Sequence, residues 1–521
     1  MPDEEQQVPP NGDPTGQVFV QPDDVAPDVT EEDPEATPRA SALRTATVVS
    51  GRLVLGFVIL GVVAIVLAAA ILIPIPGAHT SSISALVKPA PTAPQVVCPG
   101  GLLRLGTSTG TDATHATALG APVITGGASS GDVIPSAFAK SDANTGGGAA
   151  APQLLITPPV ASSAEAPVLG GAQSQSVATS EFTGLSSAAC EAPTEDVWLV
   201  GGATSVGRTT LLLLANPTAV DAVVSIQIFG ETGQVTAPGM DGITVAAGAQ
   251  RVLSVAGFAP GLASPVVHVT SAGGQVVANL EQSTVRGLAP GGVDFVSGQA
   301  SPLKKLVVPG VVVNGTQGVQ AVIGQPGFED LESTLRVFVP GSRSGTVTIT
   351  ELNEDGTVTG KPTKEKVAAG NVTDLGLDDL SDGNYTLVLS STVPVVAGVR
   401  VSTASGAATD PVTDFAWFAA APLLTANSIV SIPTGMASSL HLDNPTATSE
   451  TVRLDALVGS SLTVTVKPHS ATSVAVASGI SYELEGFSRL YAAVGGTTDG
   501  GVTGYVVCPA TLGAAPLRVY G

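Results

Sequence analysis

The feature that most constrains the fold is an internal repeat built on an apolar alternation that ends in proline. Its three copies read Leu212-Leu-Leu214-Ala-Asn216-Pro217, Leu335-Arg-Val337-Phe-Val339-Pro340 and Leu440-His-Leu442-Asp-Asn444-Pro445. Alternation with period two marks a strand with one packed face, and proline ends its pairing because it has no N–H to donate. Each copy continues with a second alternating run: Val223 to Phe229, Thr346 to Leu352 and Thr451 to Leu457. A turn and a short strand follow, as in Ile243-Thr-Val245-Ala-Ala-Gly248, and a hairpin closes the unit. Leaders that look alike open the copies: Trp198-Leu-Val-Gly201-Gly202, Val307-Val308-Pro309-Gly310 and Ser431-Ile432-Pro433. The repeats therefore occupy 197–304, 305–424 and 425–521. A period of roughly 105–120 residues is too long for solenoid units, and about seven short strands per unit suit a β-sandwich. The fold expected is mostly β, an array of β-sandwich-like repeats. The alternative is a β-propeller-like ring, to which the tetrapeptide shared by Val96 to Pro99 and Val506 to Pro509 gives weight, since such ends could meet.

A second feature sets the topology. Residues Leu53 to Ile73 form 21 consecutive positions without a charged or strongly polar side chain. As an α-helix that run would span roughly 30 Å, the hydrocarbon thickness of a bilayer. It is too long and too far from the N-terminus for a cleaved signal peptide. Arg39, Arg44 and Arg52 precede it and only Lys88 follows closely, so the N-terminus is expected to be cytoplasmic and the repeats exported. The sequence reads as a disordered acidic cytoplasmic tail at 1–52, a transmembrane helix at 53–73, and a Pro/Ser/Ala-rich spacer at 74–97. An irregular β segment at 98–196 then leads into the repeats.

Composition excludes one class of partner. A formal charge of −22 argues against nucleic acid, which calls for a basic patch. The three cysteines, Cys98, Cys190 and Cys508, all follow the apolar run, which fits disulfide use in an oxidising compartment. Joining Cys98 to Cys190 would staple a Gly/Ser-rich stretch with little core of its own, and is the pairing expected. It leaves Cys508 as a small buried apolar residue on its strand. Cys98–Cys508 is the rival, favoured if the ends meet in a ring.

The search for chemistry yields no catalytic, cofactor or metal residue. Two G-x-S-x-G matches, around Ser108 and Ser129, lack the following helix that a nucleophile elbow needs. The five histidines never pair at metal-ligand spacing, and His268 and His441 fall on strand patterns as packed or surface residues. Asp374, Asp378, Asp379 and Asp382 match no cation-loop spacing and read as a solvated acidic loop.

Several of these features together resemble an uncharacterised family of single-span actinobacterial envelope proteins, a domain-of-unknown-function family. They are the acidic tail, the single span, Cys98 after the spacer, Cys190 ahead of Trp198 to Gly202, and the Leu-x-Leu-x-Asn-Pro strands. The resemblance implies membrane attachment and no particular activity. The middle copy departs from the pattern, with Val339 in place of the asparagine. The function expected is a non-enzymatic, membrane-anchored extracytoplasmic envelope protein that scaffolds or binds envelope proteins. The alternative is an accessory or binding subunit for cell-wall glycan assembly or export, weakened because only Trp198 and Trp417 could serve as tryptophan platforms. The lipid bilayer is the first expected partner, through residues 53–73. Protease added to intact, wall-stripped cells is expected to digest residues 77–521 and spare the tail; a protected C-terminus would overturn this topology.

Overall fold

The computed structural model describes residues 93–106, 115–146, 148–158, 166–299, 301–354, 357–377 and 380–510, with Val62, 84–87 and 517–520 besides. The chain divides into two compact units, 1–84 with 520–521, and 85–519, and the second carries all that follows. The acidic tail and, Val62 apart, the apolar run lie outside the described residues. Among the described residues no helix is long and apolar enough to cross a membrane. Among the described residues of 93–510 the chain is mostly strand, with a single α-helix, α1 (Thr316–Val322).

The alternation seen in the sequence becomes two-faced sheets. In the strand Ala222–Gly230, Ala222, Val224, Ile226 and Ile228 are buried while Val223 and Gln227 are exposed. The buried set meets Leu212, Leu214 and Leu280 from the facing sheet. Each such buried side chain contributes about 1.5–3 kcal/mol. Every repeat has this sandwich-like form, with one apolar core between two sheets. The middle repeat does it with a curl, because one 25-residue strand, Gly383–Ala407, serves both layers. Before Pro394 that strand pairs with Lys305 to Val313 and with Gly345–Asn353; beyond it, with Leu303, Thr334–Phe338 and Asp410–Ala419. Proline breaks the ladder at the changeover, which frees the strand to bend.

The repeated Asn-Pro also has a physical meaning. Asn216 Nδ2 donates to the Val220 and Val245 carbonyls, and Asn216 Oδ1 accepts from Thr218 N–H and O–H. Asn444 repeats the arrangement with Thr448, Val466 and Thr446. In the middle copy Val339 keeps only the backbone part, its carbonyl accepting from Gly370 N at 2.9 Å.

The segment before the repeats is more regular than expected. It forms two three-stranded sheets, one of Val123–Ala128, β1 (Leu169–Ala178) and β2 (Thr183–Ala189), the other of Gln95–Cys98, Ile134–Ala137 and Gln153–Ile156. A disulfide joins Cys98 to Cys190 across a sequence separation of 92. Closing a loop of that length contributes roughly 4–5 kcal/mol in the chain-entropy treatment. Cys508 is a free thiol, half-buried just past the last strand of its repeat rather than on it. The two ends of this unit do meet: Val96 and Val506 to Pro509 surround Cys190.

Neighbouring sheets pack in a succession that returns to its start. The two sheets of the leading segment share Val96, Leu155 and Leu169. Val97 and Phe138 pass contact to Ala215 and Val277 of the first repeat. Trp198 and Val266 meet Phe338 and Val396 of the second repeat. Val307 and Val388 then meet Tyr491 and Val506 of the third. Finally Ala172 and Leu185, from the leading segment, complete the core of that third repeat.

Four hairpins meet where this succession closes. They are β1 with β2, β3 (Val277–Arg286) with β4 (Ala289–Val296), β5 (Gly383–Ala407) with β6 (Asp410–Ala419), and β7 (Tyr491–Thr498) with β8 (Gly501–Val506). Two fully buried aspartates tie their second strands. Asp414 on β6 accepts from Leu185 N on β2 (2.9 Å), Val502 N on β8 (3.3 Å) and Val293 N on β4 (3.4 Å). Asp294 on β4 accepts from Trp417 N on β6 (2.8 Å), Ser186 Oγ on β2 (3.2 Å) and Thr503 Oγ1 on β8 (3.1 Å). Gly184 and Gly292, both at positive φ, make room: a Cβ on either would stand 2.5 or 2.8 Å from Asp414 Oδ1. Only glycine combines that backbone with that clearance.

Burial raises a set of acids. It pushes Asp414 and Glu281 to about 8 and Glu191 and Asp443 to about 7, and burial together with Asp414 lifts Asp294 well above the carboxylate range. In the unfolded chain these groups ionise near pH 4. Their contribution is therefore whole below about pH 4 and lost as pH rises through 7–8. The melting temperature of the full-length chain is expected to be higher at pH 5.5 than at pH 8.5, measured at constant ionic strength; a rise with pH would contradict this.

Candidate binding cleft between the first two repeats

The middle repeat carries an insertion. The first-strand Leu212 comes ten positions after the leader Gly202, but Leu335 comes twenty-five after Gly310. The extra chain holds α1 and the turn Glu329–Leu331, anchored by Val322 and Leu331 packed on Ala404. It reaches towards the first repeat, and beside it opens a cleft of about 560 Å³ between the two repeats.

The cleft is built from strand residues of both repeats. Arg336 occupies the position that is Leu213 in the first repeat and His441 in the third. Its side chain points away from its own repeat's core and across the junction. There its guanidinium donates to the carbonyls of Gly202 (2.8 Å), Pro265 and Ala263 (both 3.1 Å). It also grips Asp374 through two bonds, 2.9 and 3.0 Å, and lies 4.9 Å from the centre of the Trp417 ring. A buried charge is tolerable when its donors are satisfied in this way. Trp417 also links the cleft to the central cross-tie, since its backbone N–H is a donor to Asp294 and its Nε1–H bonds Gln282 at 2.7 Å.

Beside that pair, three guanidiniums converge on one carboxylate. Arg286 binds Asp330 through both oxygens at 2.8 and 2.9 Å, Arg208 contacts it at 2.8 Å, and Arg400 at 3.4 Å. Arg400 also donates to the Asp330 carbonyl and packs over the Phe415 ring at 4.5 Å, yet its buried Nε has no hydrogen-bond partner among the described residues. Burial would raise both Asp330 and Asp374, but the arginine charges outweigh it and hold both carboxyls below the usual range. Burial, with the neighbouring guanidiniums and against Asp330, draws Arg400 down to about 10. Asp330 and Asp374 are thus carboxylates, and Arg400 a cation, at neutral pH.

A second cavity, about 350 Å³ and more apolar, lies where the ends of the unit meet, with Leu306, Val506 and Cys508 in its wall. Burial, and after it Glu191, raises the Cys508 thiol above its ordinary value, which keeps it protonated and unreactive.

The residues singled out in the sequence do not assemble into one site. Ser108, Asp378 and Asp379 lie outside the described residues. Ser129 accepts a hydrogen bond from Val168 N at 2.9 Å and precedes a strand, not a helix. Asp374 belongs to Arg336, whereas Asp382 accepts from Thr316 N, so the acidic run is split between partners. His268 is stacked 3.9 Å from Trp198 and bonded to Asp196. His441 is fully buried and bonded to Glu354 at 3.0 Å. Among the described residues no group of three or more His, Cys, Asp or Glu could hold a metal ion. The cleft itself went unread, although two signals were present: the lengthened gap before Leu335, and an arginine where the other copies carry Leu213 and His441.

A model of a family of unknown function, DUF5719, matches residues 143–477, the span that holds the cleft. No curated protein matches the chain. Among solved structures, a protein titled Thermotoga maritima 1070 is 19% identical over 22% of this chain and 93% of its own, with a TM-score of 0.17. The BSP domain of a biofilm associated protein is 9% identical over 66% of this chain and 64% of its own, with a TM-score of 0.11. Neither likeness is close enough to carry an argument.

Proposed function

We propose, for a chain that belongs to the DUF5719 family of unknown function, a non-enzymatic role as an envelope protein that binds its partner in the cleft between the first two repeats. The observation that carries this reading is the state of the cleft's charges. Asp330 and Asp374, held below the usual carboxylate range by the guanidiniums beside them, stay ionised across the physiological range, and a group that does not titrate there is a poor proton donor or acceptor. Fixed charges, backbone carbonyls and an inserted loop suit recognition instead. The apolar run at 53–73 supports a membrane anchor, with the repeats outside the cell. The sheet packing supports a propeller-like ring of sandwich-type repeats, a rigid frame for such a cleft. Support for the glycan-subunit alternative is thinner, because Trp198 and Trp417 are both buried and their faces are covered by His268 and Arg336.

The test is site-specific photocrosslinking in living cells. A photoreactive residue at Val206, on the cleft rim and 96% exposed, is expected to give a discrete envelope adduct. The same probe at Val458, 76% exposed on the third repeat and away from the cleft, should not. No adduct at Val206, or equal adducts at both, would count against the cleft.

A further inference from the structure

We propose that the cleft is an oxyanion site for a ligand carrying a carboxylate or phosphate group, and that the Asp330 side chain is a built-in occupant which that group replaces. The proposal rests on the reading of the cleft as a binding site and names what it would bind.

The geometry around Asp330 is that of a bound anion. Arg208 and Arg286 come from the first repeat and Arg400 from the second, and all three reach the same carboxylate. Arg336, by contrast, is matched one to one by Asp374. In direct contact three guanidiniums meet the single Asp330 carboxylate, with Glu329 beside Arg208 on the rim, so an oxyanion with more oxygens would engage more of their donors. The guanidinium fork fits the planar edge of a carboxylate or the face of a phosphate. A donor also stands spare: Arg400 is 7% exposed, lines the cleft, and has its Nε without a hydrogen-bond partner among the described residues. A buried N–H left unpaired carries a desolvation penalty, which a ligand oxygen could recover.

Asp330 is placed to yield. It sits on the insertion rather than on a sheet, and the insertion is held by Leu331 and Val322 in a small apolar cluster of its own. The Asp330 side chain can turn away while Leu331 stays seated, so the ring need not open. Glu329 and Glu332 on the rim oppose an anion, but both are exposed and screened by salt, whereas the guanidiniums are largely buried.

The test uses the full-length chain in mild detergent, titrated calorimetrically with inorganic phosphate and separately with glucuronate. Sodium chloride at matched ionic strength is the control. The wild type should bind one or both anions, Asp330→Ala at least tenfold more tightly, and Arg208→Gln at least fivefold more weakly. Preference for phosphate assigns a phosphate-bearing ligand and preference for glucuronate a carboxylate-bearing one. A folded Asp330→Ala that binds no better than wild type would overturn the proposal, as would a response that chloride reproduces. If Asp330→Ala fails to fold, wild type against Arg208→Gln decides, and equal binding overturns it. Absence of anion binding together with a Val206 adduct would remove the oxyanion assignment and leave the cleft as a binding site.

Discussion

The structure depends on a cross-tie between two buried carboxylates. Asp294 and Asp414 lie on neighbouring central strands, and each accepts hydrogen bonds from the other three, so four hairpins from distant parts of the chain are fixed at one point. Backbone N–H groups of strand edges facing each other across such a centre would otherwise be buried without partners, at about 1–3 kcal/mol each. A short carboxyl group solves this because its oxygens offer several lone pairs in a small volume. Gly184 and Gly292 supply the space. The solution is specific to position, since a longer side chain at 294 or 414 would have to displace a neighbouring strand.

That constraint explains the outer architecture. The sheets around this cross-tie are joined by one apolar cluster after another, until the leading segment meets the third repeat. The disulfide between Cys98 and Cys190 belongs to the same closure. It pins the start of the unit beside β2, which carries Leu185 and Ser186 to the centre. The cleft is a by-product of the same packing. Arg336 and His441 fill equivalent strand positions that face the preceding repeat, and each junction is finished with a polar group suited to what it meets. At the first junction that group is a guanidinium aimed at carbonyls; at the next it is an imidazole packed against Gly310, where a Cβ would come 2.9 Å from its ring.

The sequence made the strands legible, because each has one wet face and so carries a period of two. The asparagine before proline was legible as a motif, and its role in bonding the following turn explains why Asn216 and Asn444 occur at the same place. What lay beyond reach depends on contacts between segments far apart. Asp294 and Asp414 read as ordinary acids in Val-Asp-Phe and Thr-Asp-Phe contexts, and only burial shows them to be central. The leading segment looked irregular because its short, glycine-rich strands gain their order from the repeats they pack against. Arg336 broke the apolar pattern of its strand, a visible sign of an interface whose meaning required the partner carbonyls.

Through the aspartate cross-tie the four hairpins form one cooperative unit. Scanning calorimetry of the full-length chain bearing Asp414→Ala tests it most directly. The substitution strips the N–H groups of Leu185, Val293 and Val502 of their acceptor and should destabilise the whole by on the order of 3 kcal/mol or more. The prediction is a single transition, shifted to lower temperature as a whole. Separate transitions, with only the middle repeat's shifted and the others unmoved, would contradict it.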